Sequence, residues 1–334
     1  MTAGIPALTS LLIVFIASLL VKGERGLAMA GLNQEIWTGV MVEQFRATEE
    51  ALFLNEIPDE SRWVTKSPSG ENEVIHLTDI GVDPDVLINN STYPIPYQTI
   101  TDSDIAISMD KFQTKVTPVT LDEIRTISYD KIKKTQEKHT RAIMKIKHRK
   151  ALHAMCPAAN TATTPVLVTT GTDDGTGRKR LLYKDLATLK SRADDAGIDE
   201  DSRVLVLCSD HYNDLVLEGL EANSAAKGGL INASGGNLNI YILGFKIYWF
   251  VNAPYIKPST LGKVAFGAVP VAGDQKASTF FVRDDMFKAM GSTQQFHDEP
   301  TARMQQHEYS ARHFYMCMPK KLRAVGAIVS DNVA

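Results

Sequence analysis

Charge along this chain is sorted into blocks, and one block fixes much of what the chain can fold into. Residues 124–155 hold ten Lys or Arg against two acids, Asp130 and Glu137, whereas residues 30–123 hold 17 acids against five bases. The whole chain stays near neutrality at −3. Residues 120–155 read as one helix. Thr120-Leu121-Asp122-Glu123 is a capping box, in which the Thr hydroxyl serves the N3 amide and the Glu carboxylate reaches back. Cys156-Pro157 ends the helix. At 1.5 Å per residue the rod runs roughly 50 Å. Its apolar track is narrow: Ile124, Ile132, Ile143 and Ile146, with Ser128, Thr135 and His139 between them, at helical spacing. One thin side can enter a core. The flanks bear Lys131, Lys133, Lys134, Lys138, Arg141, Lys145, Lys147, Arg149 and Lys150, which must face water, phosphate or acidic partners. A solvated face is the plain account. The acidic block just upstream favours pairing with another copy, because complementary blocks on identical chains attract each other.

A length of 334 residues allows one large domain or two ordinary ones, each with its own core. Cys156, Cys208 and Cys317 are far apart and form no CxxC pair, so reduced, buried thiols and cytosolic folding are expected. Residues 8–21 (LTSLLIVFIASLLV) are apolar but short of the ~20 residues that span a bilayer. Ala28-Met29-Ala30 resembles a signal-peptide cleavage site, yet the first bases, Lys22 and Arg25, follow the apolar run instead of preceding it. The favoured account is a misplaced start. Lys22-Gly23-Glu24-Arg25-Gly26 can be encoded by a purine-rich run of the ribosome-binding type, directly before Met29-Ala30-Gly31. No membrane partner is expected.

Residues 36–54 have helical spacing and stop near Pro58. Residues 62–119 change character. They are rich in Thr, Val, Ile, Asp and Pro, and alternate at Val74-Ile75-His76-Leu77 and Ile105-Ala106-Ile107-Ser108-Met109. Ser67-Pro68-Ser69-Gly70 and Asp83-Pro84 mark turns, and Tyr93-Pro94-Ile95-Pro96-Tyr97 is extended. A long β-hairpin arm is expected, with too few large apolar residues to build a core of its own. After the basic helix, strands are expected at 165–169, 203–208, 239–250 (broken at Gly244), 264–271, 279–282 and 308–330. Helices are expected at 183–196, 210–219 and 284–290, and loops at 171–177 and 221–237.

Catalytic motifs are not convincing. Gly171 to Gly177 lacks both the P-loop and the dinucleotide-binding spacing. Cys208-Ser209-Asp210-His211 follows a strand, where nucleophiles can sit, but Ser209 or Asp210 more simply caps the next helix. His297, His307 and His313, with Asp298, Glu299 and Glu308, lack HExxH spacing, so no metal site is expected. The basic helix has no interleaved aromatics apart from Tyr129, so contact with nucleic acid through it would be electrostatic and blind to sequence.

The order of these segments resembles the major capsid protein of tailed bacteriophages, the Hong Kong 97-type fold. Residues 203–215 (RVLVLCSDHYNDL) are similar to the strand and helix of that family's axial domain. Leu243-Gly244-Phe245-Lys246-Ile247 with Asn252-Ala253-Pro254 is similar to its "GF.V" strand and following turn. The resemblance implies an α+β fold with N-terminal arm, extended β-hairpin loop, long spine helix, and peripheral and axial domains. Residues 1–29 would be an apolar leader or misplaced start and 30–61 the N-terminal arm. The hairpin loop would be 62–119, the spine helix and peripheral domain 120–180, the axial domain 181–275, and the return to the peripheral domain 276–334.

The implied function is a coat protein, not an enzyme and without cofactors. Its copies would assemble as hexamers and pentamers in the host cytoplasm, forming an icosahedral virion shell around double-stranded DNA. Partners would be a separate scaffolding protein, a portal and decoration proteins. The arm's acids Glu71, Glu73, Asp79, Asp83 and Asp85 would meet basic residues of a neighbouring copy's spine helix or flanking sheet, and Lys66 would belong to the same inter-subunit or nucleic-acid contact set. Some relatives cross-link an arm Lys to an Asn; Lys66 and Asn332 are present, but no cross-link is expected. The competing readings are an encapsulin-like compartment shell, a nucleic-acid-binding protein using residues 124–155, and an α/β enzyme centred on Cys208 and His211.

Overall fold

The computed structural model describes residues 51–66, 73–80, 85–91, 93–95, 97–99, 102–122, 131–221, 238, 240–320 and 324–333. The expectations for residues 1–50, for the start of the long helix and for nearly all of the loop at 221–237 lie outside them. In chain order the elements are β1 (Val64–Lys66), β2 (Glu73–Ile80), β3 (Asp102–Ser108), β4 (Asp110–Gln113), β5 (Thr117–Thr120), α1 (Lys131–Met155) and β6 (Val166–Val168). Next come α2 (Tyr183–Asp195), β7 (Arg203–Leu207), α3 (Ser209–Glu221), β8 (Tyr241–Ile242), β9 (Phe245–Trp249), β10 (Tyr255–Lys257) and β11 (Gly262–Lys263). The chain closes with β12 (Gln275–Val282), β13 (Met286–Asp298), β14 (Gln306–Pro319) and β15 (Val325–Val329).

The chain divides into two compact units. The larger comprises Glu50–Phe112, Met144–Ser292 and His313–Ala334. Its main sheet runs β11-β10-β12-β7-β9-β8, with β15 on β12 and β6 on β15. β7 and β15 are buried at every position, which suits the apolar runs VLVL after Arg203 and VGAIV. β7 pairs β9 in parallel and β12 antiparallel. Leu186, Leu189 and Ala193 of α2 and Leu215 of α3 join the core that these strands build. The 3-10 turn Leu52–Glu56 adds Phe53, whose ring lies edge-on to Phe250 at 5.7 Å and to Phe281 at 6.4 Å. A second cluster gathers Ile75, Met109, Phe287, Ala289, Phe314 and Met316. It holds the base of the hairpin sheet β1-β2-β3, whose register runs from Val74↔Ser108 to Ile80↔Asp102.

The end of α1 lies in the larger unit, where Ala151, Leu152 and Met155 are buried. Pro157 stops the helix, and Lys263 Nζ donates to the carbonyls of His153 (2.8 Å) and Cys156 (2.6 Å). A cation on the last carbonyls satisfies acceptors that the helix cannot.

The smaller unit comprises Met1–Glu49, Gln113–Ile143 and Thr293–Arg312. Within it β5 pairs β14 from Gln306↔Thr120 to Tyr309↔Thr117. Thr135, His139 and Ile143 of α1 are buried, as the narrow track predicts. His139 is held on both sides, by Thr114 Oγ1 at Nδ1 (2.7 Å) and Thr117 Oγ1 at Nε2 (3.0 Å).

Several expectations fail for local reasons. Residues 264–271 form no strand: Gly267 turns with φ +83, Pro270 removes a donor, and Val269 is exposed. Residues 284–290 are not a helix. A 3-10 turn at Arg283–Asp285 leads into β13, where Met286, Phe287 and Ala289 are buried against strands. Tertiary burial overrides the helical propensity of DDMFKAM. Ile146 is 40% exposed, and the position after Ile143 on the buried track is Lys147, which is fully buried. The expected spacing of three is a spacing of four. Finally, residues 110–120 belong to β4 and β5, both paired with β14, rather than to the free hairpin.

Candidate interaction surfaces

The α-helical period places Lys134, Lys138, Arg141, Lys145 and Arg149 on one side of α1, at intervals of three or four residues. Lys138, Arg141 and Lys145 are exposed and have no ion-pair partner among the described residues. Lys134 pairs with Glu137 at 3.0 Å and Lys150 with Asp110 at 3.7 Å. Both are surface pairs, worth about 0–1 kcal/mol each. The Arg149 and Lys150 head groups lie 5.8 and 5.2 Å from the centre of the Phe266 ring. Lys133 is exposed and Lys131 half-buried. Lys147 departs from the expected set: it is buried in the larger unit and cannot meet a partner on the surface of this subunit.

The acids of the hairpin divide differently from expectation. Asp85 is exposed, and its amide donates to Gln98 Oε1 (2.7 Å). Glu73 is buried, and its two carboxylate oxygens accept the Ser292 amide at 3.1 and 2.8 Å. It fastens β2 to β13 and is spent within its own subunit. Asp79 stands in β2 and Lys66 in β1, whereas Glu71 and Asp83 lie outside the described residues. Asn332 Nδ2 donates to the Gly273 carbonyl (2.9 Å), and its Oδ1 accepts from Gln275 (2.8 Å).

Sequence reasoning missed how apolar the connection between β2 and β3 is. Val86 is 85% exposed, Ile88 84% and Tyr97 fully so. The run Val86-Leu87-Ile88 was the available signal. It also missed a cleft of about 200 Å³ beside the end of α1, lined by Arg149, His153, Asn252, Tyr255 and Phe266.

The segment weighed as an enzyme site is built as core. Cys208 is buried, and desolvation pushes its thiol up to about 11, which removes the thiolate a nucleophile needs. His211 is fully buried between Ser278 Oγ (2.7 Å from Nδ1) and Ser330 Oγ (2.8 Å from Nε2). Ser330 Oγ also accepts from Arg178 (3.2 Å), which grips Asp214 with two hydrogen bonds of 2.7 and 3.0 Å. Every member of this chain has a partner inside the fold, the pattern of a buried structural network. Among the described residues no three His, Cys, Asp or Glu are grouped to hold a metal, and no helix is long and apolar enough to cross a membrane.

No protein-family model matches the chain, and no curated protein matches it. Solved structures do. A chain from Mycobacterium phage Che8 is similar at TM-score 0.55 and 14% identity, covering 84% of this chain and 92% of that one. The capsid structure of the Cyanophage P-SCSP1u is similar at TM-score 0.57 and 15% identity, covering 83% and 87%. A virus-like particle from Pyrococcus furiosus is similar at TM-score 0.51 and 10% identity, covering 89% and 99%. What is shared at such identities is the fold. The chain has the mixed α+β, Hong Kong 97-like fold of tailed-phage capsid proteins.

Proposed function

We propose that this chain is the shell-forming coat protein of a tailed bacteriophage, a structural protein and not an enzyme. Copies close into an icosahedral shell of hexamers and pentamers around double-stranded DNA, assembled in the host cytoplasm. The observation that supports this reading most is fold likeness over 83–89% of the chain to the solved phage and virus-like-particle structures above. Two features of the chain agree with it. The connection between β2 and β3 exposes aliphatic side chains that a solitary subunit leaves in water, and α1 exposes Lys138, Arg141 and Lys145, which have no ion-pair partner among the described residues. In this reading residues 62–109 are the hairpin loop that lies on a neighbour, and α1 is the spine. Asp85, with the other hairpin acids apart from Glu73, meets the α1 cations of an adjacent copy. The cations engaged are those on the surface of α1, without Lys147. A separate scaffolding protein, a portal and decoration proteins complete the particle, and Lys66 and Asn332 remain unlinked.

Reversing Lys131, Lys134, Lys138 and Lys145 to Glu tests the charge pairing. A soluble, folded subunit that builds no regular shells by negative-stain microscopy is the expected result. Normal particles would refute the pairing. A second reading is a protein compartment, favoured by the coverage of 99% of the Pyrococcus furiosus chain. Particle contents separate the two: nuclease-resistant DNA for a virion, enclosed protein for a compartment.

A further inference from the structure

The strands β13 and β14 bring together two histidines that are ten residues apart. In the smaller unit His297 Nε2 lies 3.0 Å from His307 Nδ1. The rings are stacked, with centroids 5.1 Å apart and planes inclined by 15°. Both side chains are half-buried, so a small ion can reach them from solvent. At this separation one of the facing nitrogens donates a proton and the other accepts it.

We propose that His297 and His307 form a binding site for a divalent first-row transition ion, copper(II) before the others. The spacing brings both nitrogens within reach of one ion. With metal–nitrogen bonds of about 2.1 Å, two cis ligands of a tetragonal ion stand about 3.0 Å apart, whereas tetrahedral ligands stand about 3.4 Å apart. The 3.0 Å between the nitrogens is the length of the hydrogen bond that now joins the rings, within a few tenths of an ångström of either bite, and the Irving–Williams order places copper first. Metal takes the place of the proton between the rings; that proton moves by tautomerisation, through water, to the outward nitrogen of the donor ring, so both imidazoles stay neutral with one outward proton each. The two nitrogens now face each other along the hydrogen bond, so both rings turn on binding until their lone pairs converge on the ion. The pair supplies two positions and water fills the rest, since no third His, Cys or carboxylate is grouped with them among the described residues. Asp298 and Glu299 draw cations toward the pair through their charge. This site is independent of the shell reading and stands whether or not the chain forms particles.

The test uses the purified full-length chain with up to one equivalent of copper(II) at pH 7.5 in a non-coordinating buffer. Pulsed electron paramagnetic resonance should show two coordinated imidazoles. His297→Ala and His307→Ala should each lose that signature while keeping the wild-type far-ultraviolet circular dichroism. The same signature in the double variant, or a single imidazole in the wild type, overturns the proposal. The wild type alone also decides the matter should a variant fail to fold. With isotope-labelled histidine, copper should erase the ring signals of two of the eight histidines first. Uniform loss across all of them overturns the site.

Discussion

The Lys147 ammonium stands 4.6 Å from the centre of the Tyr315 ring, with both side chains inside the larger unit. The period of α1 puts residue 147 on the same track as Ile143, so the side chain enters the core whatever its charge. The four-carbon stem packs as an aliphatic chain, and the ring face offers the ammonium its negative quadrupole.

Neighbouring lysines of one helix should therefore respond oppositely to the same change. Lys145→Glu alters an exposed position and should shift subunit stability by no more than about 0.5 kcal/mol. Lys147→Glu places a carboxylate in the core beside a ring face that repels it, and should cost about 3 kcal/mol or more. Urea unfolding of the two variants checks this, and equal midpoints would show that Lys147 is not a core residue in solution.

Residue 147 also shows where sequence reading stops. The helical period of α1, its end at Pro157, the hairpin of β2 and β3, and the buried run of β7 follow from local pattern, and the structure agrees. The register of the helix track was misjudged by one residue because Ile146 is apolar and Lys147 is charged; only the Tyr315 ring, 168 positions away, makes the lysine the better fit. Glu73 was misjudged for the same reason: its amide partner, Ser292, lies far along the chain. Residues 284–290, the start of β13, were read as a helix because nothing in them announces β14 beside it. The basic face itself was legible, since exposure needs no partner.

Acid should destabilise the subunit through its buried histidines. Desolvation lowers His211 from 6.5 to about 4 and His148 likewise, with the Lys147 charge adding to the latter. Between those values the unfolded chain binds protons that the folded chain refuses. The stability each neutral ring contributes is present above pH 6.5 and lost as pH falls toward 4, roughly 3 kcal/mol for a shift of this size. Unfolding midpoints should fall steeply from pH 7 to pH 4.5. His211→Gln should flatten that slope; an unchanged slope would mean that His211 already titrates normally in the folded state.

Gly326 faces Phe280 across β15 and β12, and a Cβ at 326 would overlap the Phe280 ring. Phe280 is fully buried and also meets Phe245 edge-on at 5.6 Å, so it has no room to withdraw. Gly326→Ala should destabilise the subunit by about 1–3 kcal/mol through overpacking. Phe280→Leu in the same background should recover part of the loss by clearing the ring. A double variant no more stable than Gly326→Ala alone would place the strain elsewhere.

The connection between β2 and β3 gives the sharpest test of assembly. Val86 and Ile88 are more than four-fifths exposed, so replacing both with Ser removes almost nothing from the subunit's own core. Subunit stability should stay within about 0.5 kcal/mol. In a shell where these side chains are buried on a neighbour, each contributes roughly 1.5–3 kcal/mol per contact. A loss of 1.4 kcal/mol is about tenfold in an equilibrium constant, so the concentration needed for assembly should rise at least tenfold. Light scattering against subunit concentration measures it, with unfolding curves recorded on the same samples. Shells that form at the wild-type threshold would show that Val86 and Ile88 face solvent in the particle as they do in the subunit.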